Sequence, residues 1–133
     1  MTMSEPESVS RRVLVVDDNQ DSAETIAMLV ELWGHQARIV HNGPAALAEA
    51  PGWRPEVVLL DIGLPGIDGY EVARRLRQEP AMAGALLVAM TGYGQDRDRR
   101  MSSEAGFDHH LVKPVDPAVL QKLLASAASS GTG

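Results

Sequence analysis

Val13-Leu14-Val15-Val16 runs into Asp17-Asp18, Val57-Val58-Leu59-Leu60 runs into Asp61, and Leu111-Val112 runs into Lys113-Pro114. Four-residue runs of Val and Leu with no polar alternation mark strands buried on both faces, as in a parallel sheet covered by helices. In such a sheet, ligands bind in the crevice outside the carboxyl ends of the strands. Three carboxylates and one ammonium therefore converge on a single edge. Crowded carboxylates repel one another unless a cation or a proton intervenes. A hard divalent cation with oxygen ligands answers that repulsion, which points to a Mg2+-dependent acidic pocket.

Working outward, apolar stretches and turn signals alternate along the chain. A strand over about Arg12 to Asp17 leads into a helix from about Asp21 to Trp33, where Ile26, Leu29, Val30 and Trp33 fall at helical spacing and Gly34 is the stop. Gln36 to His41 reads as a second strand, and Asn42-Gly43-Pro44 opens a short helix carrying Ala46, Leu47 and Ala50. Pro51-Gly52 and Pro55 read as breaks before the third strand, Glu56 to Asp61. A Gly- and Pro-rich loop, Ile62 to Asp68, precedes a helix that turns Val72, Ala73 and Leu76 inward. Pro80 to Gly84 is a further break. Leu86 to Thr91 is the fourth strand, Gln95 to Ala105 a helix with its Asp96 to Arg100 charges in solvent, and Asp108 to Val112 the fifth strand. Asp116 caps a last helix with Pro117 in its first position and Val119, Leu120, Leu123 and Leu124 towards the core. Gly66, Gly69, Gly92 and Gly94 read as turn residues with positive φ.

Five strands alternating with five helices imply right-handed crossovers and an α/β, doubly wound sheet. The 133 residues suffice for one domain with one core. The expected division is a flexible tail over 1–11, a folded domain over 12–126 and a second flexible tail over 127–133. No run reaches the ~20 apolar residues of a membrane helix. The absence of cysteine removes a disulfide framework and a thiol catalyst, and a cytoplasmic home is expected. A net charge of −6 argues against nucleic-acid binding.

Asp17-Asp18 after the first strand, Asp61 after the third, Thr91 after the fourth and Lys113-Pro114 after the fifth resemble, in order and separation, the receiver domain of two-component response regulators. The loop Asp61-Ile62-Gly63-Leu64-Pro65-Gly66-Ile67-Asp68-Gly69 is similar to the one that follows the phosphoacceptor in that family. The resemblance covers about Arg12 to Ala125. It implies a flavodoxin-like (βα)5 fold with strand order 2-1-3-4-5, and a conformational switch driven by phosphorylation of one aspartate. It makes Asp61 the phosphoacceptor, and Asp17, Asp18, Asp61 and the Gly63 carbonyl the holders of Mg2+, for which Mn2+ would substitute. Asp18 takes the larger part there and Asp17 the smaller. Lys113 pairs with Asp61 and then with a phosphoryl oxygen. Thr91 gives its hydroxyl to another. His110 stands where receivers often carry a switching Tyr or Phe. The implied partners are a histidine kinase or histidine phosphotransfer protein and a downstream target, for a monomeric signalling domain whose only chemistry is its own phosphorylation and slow dephosphorylation. Gly106 to Asp116 looks more like receivers attached to hybrid kinases than like those of transcription factors.

Each residue also has an ordinary use. Asp17 or Asp18 suits a helix cap, Asp61 a surface turn, Lys113 a solvated lysine and Thr91 a strand. His110 in turn suits an outward docking surface. Adjacent His109 and His110 point to opposite faces of a strand and cannot chelate jointly there. An aspartate-nucleophile phosphohydrolase usually sets a second acid where this chain has Gly63. A nucleotide-binding domain needs a Gly-rich loop after the first strand. A degenerate receiver that only docks would not need the intact acidic set.

Overall fold

The continuous apolar runs form the middle of the sheet, and the more polar stretches form its edges. The computed structural model describes residues 10–64, 69–92 and 104–132, the stretch 126–132 by its backbone alone. In chain order it contains β1 (Arg12–Val16), α1 (Gln20–Leu32), β2 (Gln36–Val40), α2 (Gly43–Trp53), β3 (Val57–Asp61), α3 (Gly69–Gln78), a single 3₁₀ turn (Pro80–Met82), β4 (Leu86–Thr91), β5 (His109–Val112) and α4 (Pro117–Thr132). All four strand pairs are parallel, in the order β2-β1-β3-β4-β5. The expected doubly wound topology is therefore observed.

Period-two alternation sends the two faces of each strand into separate cores. Leu14, Val16, Val58, Leu60, Leu87 and Ala89 meet α2 and α3 through Ala46, Ala50, Val72, Ala73 and Leu76. Val13, Val15, Val57, Leu59, Val88 and Met90 meet α1 and α4 through Ala23, Ile26, Val30, Leu120 and Leu124. Every residue from Val13 to Val16 and from Val57 to Leu60 is fully buried, and each such side chain is worth roughly 1.5–3 kcal/mol.

Caps fix where the helices begin. Asn19 Oδ1 accepts from the Ser22 N–H at 2.9 Å, so α1 is capped by Asn19 and neither Asp17 nor Asp18 is spent on that task. Asp116 Oδ1 accepts from the Ala118 N–H, as the sequence leads one to expect. Gly34 follows α1 at φ +94, a left-handed stop that glycine adopts without strain.

Three expectations need correction. Pro51-Gly52 do not break the chain: α2 runs through them to Trp53. A proline in the last turn removes only its own N–H bond, and Arg54, left-handed at φ 55, closes the helix with its N–H on Ala50 O. Trp53 packs against the core there, under the Arg38 guanidinium. Val119 is 48% exposed, because the buried stripe of α4 centres on Leu120, Leu123 and Leu124 and leaves Val119 on its flank. Gly69 and Gly92 do not take positive φ. In α4 the helical backbone continues through Thr132, past the point where a tail is expected to begin, along a run of alanines and serines. The expected Gln95 to Ala105 helix, Gly66 and Gly94 lie outside the described residues, apart from the helical pair Glu104 and Ala105.

Candidate functional site

The carboxyl ends of β1, β3 and β5 lie side by side or nearly so, and each strand delivers one charged residue just as it leaves the sheet. Asp17 follows β1. Its N–H still pairs with Val40 O of β2 at 3.1 Å, and its carbonyl lies 3.0 Å from His41 Nδ1. Its carboxylate is wholly buried, with Oδ1 accepting from the Asn19 N–H at 3.0 Å. Asp18, next along, is exposed. Asp61 ends β3 nearly buried, with Oδ1 accepting from the Gly63 N–H at 2.8 Å.

Lys113 connects these groups. Its N–H donates to Thr91 O at 2.7 Å, which carries the β4–β5 ladder one step past the strand. Its side chain then reaches back across the sheet edge, placing Nζ 2.9 Å from Asp17 Oδ2 and 3.2 Å from Asp61 Oδ2. The sequence pairs Lys113 with Asp61 alone; in the structure Asp17 is the nearer partner. The Lys113–Pro114 peptide is cis.

Burial pushes the Asp61 carboxyl above its ordinary range, against the opposing pull of the Gly63 N–H and of Lys113, and the charge of Asp17 adds to the rise. Burial would lower Lys113, yet its hydrogen bonds to Asp17 and Asp61 and their charges together hold the ammonium above the usual lysine value. The ammonium is therefore a fixed positive charge across the physiological range.

Asp17, Asp18 and Asp61 each offer a carboxylate oxygen, and these atoms all lie within 4.8 Å of one another. All three donors are hard oxygens, the set Mg2+ prefers, and three protein ligands leave room for the waters it retains. The donor set fits a divalent cation. Gly63 follows two residues after Asp61, and the hydrogen bond seen there is made by its N–H.

Thr91 ends β4 almost fully buried, one register step beyond the Asp61–Met90 pair. His110 is half-buried in β5 and pairs in register with Ala89, so it shares a sheet face with Thr91 but sits one pleat back from the acidic group. The structure thus gathers Asp17, Asp18, Asp61, Thr91 and Lys113 at one edge and leaves His110 behind it. Two supporting residues escape a sequence reading. An added Cβ on Gly69 would stand 2.5 Å from Ile62 Cα and 2.9 Å from Asp61 O, so α3 can start this close to the end of β3 only with glycine there. His41, beside the Asp17 carbonyl, carries no motif signal at all.

The family profile of the response regulator receiver domain matches residues 13–125. The chain belongs to that family. Protein PilH of Pseudomonas aeruginosa is 31% identical over 113 residues, covering 85% of this chain and 93% of its own. The crystal structure of a putative response regulator from Chloroflexus aurantiacus superposes with a TM-score of 0.85 at 28% identity, over 91% of this chain and 99% of that one. The receiver domain of a sensor histidine kinase from Pseudomonas aeruginosa, solved with a magnesium ion coordinated in its active-site cleft, gives a TM-score of 0.81 at 28% identity over 89% and 97%. The fold is the flavodoxin-like receiver fold of two-component signalling. Among the described residues no helix is long and apolar enough to cross a membrane.

Proposed function

We propose that this chain is a phosphoacceptor receiver of a two-component phosphorelay, with residues 12–126 as the working unit and Asp61 as the acceptor. The observation that carries the reading is the Lys113 bridge, which holds Asp61 and the buried Asp17 on one ammonium while Asp18 stands within cation-sharing distance of both. The structure of the magnesium-bound relative supports the cation.

In the proposed reaction a carboxylate oxygen of Asp61 forms the new P–O bond as the P–N bond of a phosphohistidine breaks, and the departing imidazole takes up a proton. Phosphoryl transfer asks the protein mainly for in-line placement and charge neutralisation. Mg2+, or Mn2+ in its place, held by Asp17, Asp18, Asp61 and the Gly63 carbonyl, supplies neutralisation of the incoming phosphoryl charge. Lys113 carries its permanent positive charge from the Asp61 carboxylate to a phosphoryl oxygen. Thr91, at the end of the next strand, gives its hydroxyl to another phosphoryl oxygen and draws the β4 end inward. His110, on the same sheet face but one pleat back, is coupled to that movement only loosely, so the outer surface changes modestly.

The chain then acts as a switch, not as an enzyme on a separate substrate. Its partners are a histidine kinase or histidine phosphotransfer protein on the input side and a target protein on the output side, in the cytoplasm, with the receiver itself a monomer and no nucleic acid bound. Incubating the chain with Mg2+ and a small phosphodonor, followed by intact-mass measurement, tests the proposal. One added phosphoryl group per chain, lost on Asp61→Asn, is the expected outcome. Full incorporation in Asp61→Asn moves the acceptor elsewhere, and no incorporation in the unaltered chain leaves a docking-only receiver.

A further inference from the structure

We infer that His41 is a positioning residue for the acidic pocket: its Nδ1–H, donated to the Asp17 carbonyl, sets the peptide plane from which Asp18 projects. The inference rests on the reading of Asp17, Asp18 and Asp61 as a cation site.

The last rung of the β1–β2 ladder is the Asp17 N–H on Val40 O at 3.1 Å, where β1 has already ended and Val40 is the last residue of β2. The next backbone group, the Asp17 carbonyl, has no strand left to pair with. His41 supplies the missing partner from the first residue past β2, with Nδ1 3.0 Å from that oxygen. A carbonyl only accepts, so the ring nitrogen facing it carries the hydrogen.

The Asp17 carbonyl and the Asp18 N–H belong to one planar unit. Fixing the direction of that carbonyl fixes the direction in which the chain enters Asp18. Asp17 itself is tied down independently: its N–H is bonded to Val40, Oδ1 receives the Asn19 N–H, and Oδ2 faces Lys113 Nζ. Asp18 is exposed and follows whatever the peptide plane dictates. The residue most sensitive to His41 is therefore the exposed carboxylate, not the buried one. His41 is itself exposed, so without its ring the Asp17 carbonyl turns to water and the fold survives. The loss is one of preorganisation at the cation site.

The test uses the full chain with two substitutions. His41→Ala removes the donor. His41→Asn keeps it, because the amide nitrogen of asparagine is attached to Cγ as Nδ1 is in histidine. Mg2+ affinity by calorimetry, melting temperature in Mg2+-free buffer and the rate of phosphorylation against Mg2+ concentration are measured for each. In His41→Ala the Mg2+ dissociation constant rises by about tenfold, the lower end for losing a group that orients a ligand. The melting temperature stays close to that of the parent. The phosphorylation rate returns to the parental value at saturating Mg2+, and His41→Asn recovers most of the affinity. A purely local structural role would instead lower the melting temperature and leave the dissociation constant alone. Parental affinity in His41→Ala, or equal loss in both variants, overturns the inference while the cation site stands. A parent chain that binds no Mg2+ overturns the cation site, and the role of His41 with it.

Discussion

At the amino end of the sheet, Arg11, Arg12, Glu56, Arg77 and Asp108 are paired with one another or spent on backbone groups. The Arg12 guanidinium reaches Trp53 O at 3.0 Å and Arg54 O at 2.9 Å, Arg11 faces Glu56, and Arg77 donates to Gly106 O and Ala85 O at 2.9 Å each while pairing with Asp108. Asp108 in turn accepts from the Leu87 N–H. At the carboxyl end, among the described residues, three carboxylates stand against one ammonium. One edge is electrostatically satisfied and ties β4, β5 and α3 together. The other, among the described residues, holds an excess of negative charge that a further cation, a proton or removal of a carboxylate relieves. The contrast separates what holds this receiver together from what it is proposed to do.

The largest effect is expected from Asp61→Asn. It should abolish phosphoryl incorporation, read by intact mass, and leave the fold at least as stable as the parent, since one charge leaves a crowded site and Lys113 keeps Asp17. A clear loss of stability would show that Asp61 holds the carboxyl end together, against the contrast drawn above. Arg77→Ala should do the opposite. It strands two carbonyls and a carboxylate and should cost about 2–3 kcal/mol in urea unfolding, with Mg2+ affinity unchanged. An Arg77→Ala chain that unfolds like the parent, or that loses Mg2+ binding, breaks the division of labour between the two edges.

The sheet was legible because residues 13–16 and 57–60 are apolar without interruption and are bounded by charged and turn residues, the pattern of strands buried on both faces. The acidic edge was legible as a set of residues, and less so as a geometry. Two consecutive aspartates give no sign of which one turns inward, because both lie past the end of the strand, where alternation no longer holds; the structure buries Asp17 and exposes Asp18. The preference of Lys113 for Asp17 depends on how far a lysine reaches across the folded sheet, which no local pattern encodes. Gly69 was misread as a turn glycine, since the backbone it must clear, Asp61 and Ile62, meets it only after α3 packs. Pro51 was misread for the opposite reason. Local chemistry marks a break, and tertiary packing of Trp53 with the Arg54 cap overrides it.

A smaller effect sharpens the carboxyl-end half of the comparison. Mg2+ at ten times its dissociation constant should stabilise the parent by about 1.4 kcal/mol through mass action. Asp18→Ala should remove most of that gain, yet barely change stability in Mg2+-free buffer, because Asp18 is exposed. Coincident melting curves with and without millimolar Mg2+ would remove the case for a cation at this edge. A gain that survives Asp18→Ala intact would place the cation on Asp17 and Asp61 alone.

The smallest effect is a pH dependence of opposite sign at the two edges. Burial raises the folded-state pKa of Asp61. The unfolded chain then ionises first, so stability falls as pH climbs from the ordinary carboxylate value to the raised one, and stays lower above it. At the amino end, His35 accepts the Arg11 N–H on Nδ1 at 3.0 Å. Burial, reinforced by the Arg11 charge and opposed by Glu56, lowers its folded-state pKa. There the unfolded chain binds the proton first. Stability is whole above about pH 6.5, the unperturbed histidine value, and is lost as pH falls through the window beneath it. Urea titrations without Mg2+ separate the two contributions. The advantage of Asp61→Asn over the parent should be greatest near neutrality and vanish in acid. His35→Asn, which keeps an acceptor for Arg11 but cannot be protonated, should gain on the parent only as pH drops below the histidine range. A His35→Asn profile parallel to the parent at every pH would show that the amino edge does not sense protons, leaving Asp61 as the one titrating group of the pair.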